Sequence, residues 1–162
     1  MNWTSSEFSL IVQVQSALKQ RGRTMATAES CTGGLLATLM TELPGSSEVF
    51  LGGVCAYANA IKHRVLSVPQ ATLDQYGAVS REVCLELARG VRSLMTTDYA
   101  LATTGIAGPD GGSKEKPVGT VWCCWVSAER EECFCLKLSG DRLSIRRQTA
   151  FILLEKTLEF IA

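Results

Sequence analysis

Two β-rich runs, PVGTVWCCWVS (117–127) and EECFCLKLSG (131–140), stand close together late in the chain with charged residues between them. That spacing makes a natural hairpin, so this part of any sheet is antiparallel. Upstream the pattern is different. The strand-like runs TMATAE (24–29), VFLGGVCAYAN through Tyr57, and DYALATTGIAG (98–108) alternate with helical segments. The combination predicts a single three-layer α/β/α domain on a mixed β-sheet. At 162 residues the length fits one domain, spanning 1–162, with a core of its own.

The first helix is expected over about Ser6 to Gly22, with Phe8, Ile11, Val12, Val14 and Leu18 apolar and KQRG closing it. A second covers Gly33–Thr41 and ends at the turn LPGSS. AIKHRVLSV is helical, a short helix follows Pro69 before Gly77, and SREVCLELARGVRSL begins at a Ser80 cap with Glu82 in its first turn. Asp141–Ile161 reads as a long final helix with Leu143, Ile145, Ala150, Ile152, Leu153, Leu158 and Ile161 apolar.

Composition narrows the function. Sixteen basic residues balance sixteen acidic ones, which disfavours a nucleic-acid binder, whose affinity comes mainly from a basic surface. No apolar run approaches the roughly 20 residues that span a bilayer. The start MNWTSSEFSLIVQVQ lacks the form of a signal peptide, so the expected location is cytoplasmic. Seven cysteines are then most simply small hydrophobes kept reduced, several of them in apolar runs (Cys55, Cys84, Cys123, Cys124). Cys133-Phe-Cys135 hints at a metal, but with one histidine and no CxxC no metal or other cofactor is expected. A small metabolite is the expected partner.

Two loops have the character of a site. In TAESCTGG (27–34), Ser30 follows a strand and precedes a helix, where free backbone N–H groups favour an anion, an oxyanion or a phosphate. Ser30 or Thr32 as a plain helix cap is the competing reading. The second loop, TTGIAGPDGGSKEKPVGT, is rich in glycine but is neither a dinucleotide fingerprint nor a P-loop. A serine nucleophile needs a base. His63 is one candidate, and Lys62 in YANAIK is another, because a desolvated lysine loses its proton near neutral pH. Tyr57 is placed to hydrogen-bond such a pair or pass a proton. Ser, Tyr and Lys in that order also evoke short-chain dehydrogenases. The Tyr57–Lys62 gap of five shares no helix face and no N-terminal dinucleotide loop precedes it, so that reading fails.

From about Gln13 to Leu158 the chain resembles the CinA-like C-terminal domain family. The anchors are TAESCTGG, PGSS, YxNxxK, GAVS, TGIAGPDGGSKEKPVGTVW and SGDRLSIRRQT. The resemblance implies hydrolysis of the carboxamide of nicotinamide mononucleotide to nicotinate mononucleotide and ammonia. It implies Ser30 as nucleophile, assisted by Lys62 and Tyr57, with Ser47, Thr104 and Gly105 lining the site and Arg142 facing the phosphate. The amides of Thr32, Gly33 and Gly34 would stabilise the oxyanion or cradle the phosphate. Cys31 is a rival nucleophile beside Ser30. The family leans towards a homodimer. Ala58 and GGVCAY depart from its usual pattern around Tyr57. Larger members carry an N-terminal pyrophosphatase-type domain, for which this length leaves no room. The alternative within the same fold is a nucleotide-binding module without catalysis.

Overall fold

The structure is a computed structural model describing residues 3–161; the extreme ends of the expected domain and the first two residues of the N-terminal stretch lie outside the described residues. Helix α1 (Ser5–Arg21) starts at a capping box in which Thr4 and Glu7 bond reciprocally, and stops at Gly22 in the left-handed conformation. The chain then runs through β1 (Met25–Glu29), α2 (Leu35–Met40), β2 (Phe50–Cys55), α3 (Asn59–Leu66), α4 (Gln70–Tyr76) and α5 (Arg81–Met95). It ends with β3 (Tyr99–Gly105), β4 (Thr120–Val126), β5 (Glu131–Lys137) and α6 (Arg142–Ile161). The Ser80 side chain caps α5 as expected, accepting from the Val83 N–H.

The five strands lie in the order β2-β1-β3-β4-β5. β1 pairs parallel with both β2 and β3, whereas β3–β4 and β4–β5 are antiparallel. The expected mixed sheet and late hairpin are both present. Side chains alternate between two cores, as the pleat requires. Met25, Leu101, Cys123 and Trp125 face α1, α2 and α6. Ala26, Ala28, Ala100, Ala102 and Cys124 face α3, α4 and α5. The second face is lined with alanine because α5 lies close to the sheet and to α3. At Gly90 an added Cβ would stand 2.1 Å from the Leu66 carbonyl oxygen, so only glycine fits that crossing.

Three expectations are corrected. Phe8, Val12 and Leu143 are exposed: each lies off the face that its helix turns to the core. The cysteines are not uniformly buried and reduced. Cys55 is exposed at the end of edge strand β2, and Cys124 and Cys133, directly opposite in the β4–β5 register, form a disulfide. α2 begins at Leu35 rather than Gly33, because Gly33 and Gly34 have positive φ and serve the turn. No helix among the described residues is long and apolar enough to cross a membrane.

Candidate active site

β1 is central in the parallel half of the sheet, and Ser30 is the first residue past its end. The Ser30 N–H donates to the Thr103 carbonyl at 3.0 Å, carrying the β1–β3 ladder one step beyond the strand. The chain then folds back, with the Gly33 N–H donating to the Ser30 carbonyl at 3.1 Å. This turn presents the Ser30 side chain, 8% exposed, to the edge where the β2–α3 connection also ends.

Because β1 and β2 run parallel, with Glu29 opposite Cys55, the segment after β2 emerges beside Ser30. Lys62, in the second turn of α3, fills this space and is only 1% exposed. Its Nζ lies 3.0 Å from Ser30 Oγ, 2.7 Å from the Ala56 carbonyl and 3.2 Å from the Tyr57 carbonyl. Burial pushes the Lys62 amine below its ordinary 10.5. As an ammonium, Lys62 donates to all three oxygens. As a free amine it keeps two N–H groups on the carbonyls and turns its lone pair to the Ser30 hydroxyl. The two carbonyls therefore aim the lone pair at Ser30.

A cavity of about 200 Å³ opens in front of this pair. Ser30, Cys31 and Lys62 form one wall, Thr104, Gly105 and Ala107 a second, and Ala78, Val79, Tyr57, Asn59 and Arg142 complete it. Thr104 Oγ1 donates to the Ala78 carbonyl at 2.7 Å, fixing the segment before α5. Lys116 of the glycine-rich loop donates to the carbonyls of Tyr76 and Val79 at 3.2 and 2.7 Å and ties the two loops together. Arg142 donates to the Gly108 carbonyl at 2.8 Å and to Tyr57 Oη at 2.6 Å. A larger groove of about 680 Å³ between α1 and α6 contains none of these residues.

Of the residues singled out in the sequence, Ser30, Tyr57, Lys62, Thr104, Gly105 and Arg142 converge on the cavity. Four do not. Ser47 is exposed on the short 3-10 turn Ser46–Glu48 that leads into the start of β2. That is the opposite end of the parallel strands from Ser30. Thr32 is fully buried, its hydroxyl 2.8 Å from that of Thr103. The Gly33 N–H is taken by Ser30, and the Gly34 N–H donates to the Glu29 carboxylate at 3.0 Å, so neither amide is available to an anion. Two further expectations change. The Tyr57 hydroxyl meets Arg142, and it is the Tyr57 carbonyl that meets Lys62. His63 Nδ1 lies against the Val68 carbonyl, outside the cavity.

Cys31 lines the cavity, but burial pushes its thiol up to about 12, so it stays protonated and weakly nucleophilic. Among the described residues, no group of three or more His, Cys, Asp or Glu side chains is disposed to hold a metal ion. Sequence reasoning passed over Glu29, Asn59 and Arg146. Arg146 donates two bonds to the Thr32 carbonyl, at 3.0 and 2.8 Å. It lies one helical turn beyond Arg142, a spacing that puts both on one face of α6.

The chain is similar to several known proteins. Nicotinamide-nucleotide amidohydrolase PncC of Escherichia coli is 49% identical over 157 residues, covering 93% of this chain and 93% of that protein. A putative competence-damage inducible protein of Caldanaerobacter subterraneus is 50% identical over 145 residues, covering 88% of this chain and 35% of that longer one. The crystal structure of competence/damage inducible protein CihA from Agrobacterium tumefaciens superposes with a TM-score of 0.96 at 35% identity, covering 100% of this chain and 99% of that one. The model of the CinA C-terminal domain matches residues 7–161, and the chain belongs to that family.

Proposed function

We propose that the protein hydrolyses the carboxamide of nicotinamide mononucleotide, giving nicotinate mononucleotide and ammonia, by a Ser30–Lys62 mechanism without a metal. The observation that carries this reading is the buried Lys62 amine 3.0 Å from Ser30 Oγ at the wall of a cavity. The Escherichia coli relative named as a nicotinamide-nucleotide amidohydrolase supports the choice of substrate.

In the first half-reaction Lys62 takes the Ser30 proton as Oγ attacks the amide carbon. Cys31 lines the cavity, so its N–H is the amide of the turn assigned to the developing oxyanion. Collapse breaks the C–N bond, and Lys62 returns its proton to the departing nitrogen, which leaves as ammonia. A nicotinoyl ester on Ser30 remains. Water, deprotonated by Lys62, attacks that ester, and the carboxylate leaves as Ser30 regains its proton. Arg142, at the cavity edge, offers its planar guanidinium to the nucleotide phosphate. A homodimer in the cytoplasm, acting on this small molecule without nucleic-acid or membrane partners, completes the proposal.

The test is ammonia release from nicotinamide mononucleotide at pH 7–8 with EDTA present, wild type beside Ser30→Ala. Release by the wild type alone is expected. A folded wild type that is heat-stabilised by the nucleotide but releases no ammonia overturns catalysis in favour of a binding module.

A further inference from the structure

Glu29 is the last residue of β1 and the immediate neighbour of Ser30, yet its carboxylate is buried, 1% exposed. By strand alternation it points to the α2 face while Ser30 turns to Lys62. Among the described residues no lysine or arginine pairs with it. Instead one oxygen accepts the N–H groups of Gly34 and Leu36, both at 3.0 Å, and the other accepts the Ala37 N–H at 2.8 Å. An uncompensated buried carboxylate is costly, and these amides at the positive end of α2 offset that cost.

The bonds close a loop around the nucleophile. Glu29 precedes the turn and the amides it holds follow it, so the segment Ser30–Gly34 is clamped onto β1 by its own neighbour. α2 has six residues, too few to hold its first turn in place by itself. On the other side of the turn, Arg146 holds the Thr32 carbonyl. We infer that Glu29 is a positioning residue for the nucleophile: its carboxylate clamps the first turn of α2 to the end of β1 and so holds Ser30 Oγ against Lys62 Nζ. This rests on the amidase reading only in taking Ser30 as the reactive group.

Glu29→Gln tests it with little change of volume. The amide keeps one acceptor oxygen, but its NH2 group faces an N–H where a carboxylate oxygen stood. The readout is the rate at which a fluorophosphonate labels Ser30, with Ser30→Ala as the blank, alongside kcat and KM for nicotinamide mononucleotide and the melting temperature. A displacement of about 1 Å at a nucleophile costs on the order of 100-fold in rate. Labelling and kcat are therefore expected to fall on the order of 100-fold, with KM nearly unchanged and a cooperative melt retained. If Glu29→Gln does not fold, Glu29→Asp is read instead. It keeps the charge but is one methylene shorter, and labelling should again fall more than KM changes. Labelling and kcat at the wild-type rate in a folded variant overturn the proposal, whatever happens to the melting temperature. A wild type inert to the probe sinks the Ser30 reading itself, and the two failures are distinct.

Discussion

Replacing Lys62 by Met tests whether the buried amine is neutral in the folded protein. Methionine nearly matches the lysine stem, so the cavity wall keeps its shape while the amine is lost. Two effects on stability oppose each other. Removing the amine relieves its desolvation, but it leaves the Ala56 and Tyr57 carbonyls without their donor, at about 1–3 kcal/mol each. The second effect does not depend on pH, and the first does. Burial holds the folded-state pKa of Lys62 below its ordinary 10.5, so between the two values the unfolded chain binds the extra proton. Wild-type stability therefore rises with pH across that window, by up to about 1.4 kcal/mol per pH unit, and levels off above 10.5. Below the folded-state pKa the full penalty is present and the slope vanishes. Urea unfolding of both proteins from pH 6 to 10.5 gives the difference curve, in which the other titrating groups cancel. The wild type should gain on Lys62→Met as pH rises, and the variant should lose turnover by about 10²- to 10⁴-fold, the usual worth of a general base. Parallel stability curves would refute the reasoning, because Lys62 would then be as fully charged in the folded protein as in the unfolded chain.

The remaining predictions concern the caps and the thiols. Thr96 closes α5 in the left-handed region at φ 52°, unfavourable for a β-branched residue, so Thr96→Gly should stabilise the protein by about 1 kcal/mol. A rise in melting temperature of about 2–4 °C checks it, and a fall would mean that the threonine side chain makes a stabilising contact of its own. Alkylation of the unfolded, unreduced protein should modify five of the seven cysteines, leaving Cys124 and Cys133 protected. In the folded protein Cys31 should resist alkylation at pH 8 and Cys31→Ala should keep turnover within about threefold, because a buried protonated thiol is not the nucleophile.

The layered fold was legible because alternation of strand and helix patterns, followed by a hairpin, admits few sheet arrangements. Ser30 and Lys62 were legible as separate candidates, but their meeting was not. They are 32 residues apart, and only the parallel pairing of β1 with β2 brings the two connections to one edge. Ser47 was expected at the site on the family resemblance alone; its turn precedes β2 and so lies at the start of the parallel strands, away from Ser30. The amides of Gly33 and Gly34 looked available because the sequence does not show that the Ser30 carbonyl takes the first and the Glu29 carboxylate, one residue before Ser30, takes the second. The disulfide did leave a trace. A hairpin with four residues between Val126 and Glu131 places Cys124 opposite Cys133, but reading that requires fixing the register before assuming reduced thiols.

The order of the strands also bears on which parts of the molecule can loosen without harm. The cavity gathers residues from the ends of β1, β2 and β3, from the segment before α5 and from the start of α6, five segments spread along the chain. Such a site exists only when the parallel half of the sheet is complete, because β2 reaches β3 only through β1. β5, at the other edge and paired on one side only, contributes no residue to the cavity. Fraying there leaves Ser30 and Lys62 in place, whereas release of β2 separates them. Regain of turnover during refolding therefore reports the docking of an edge strand and its helix, a late and long-range event, rather than collapse of the core.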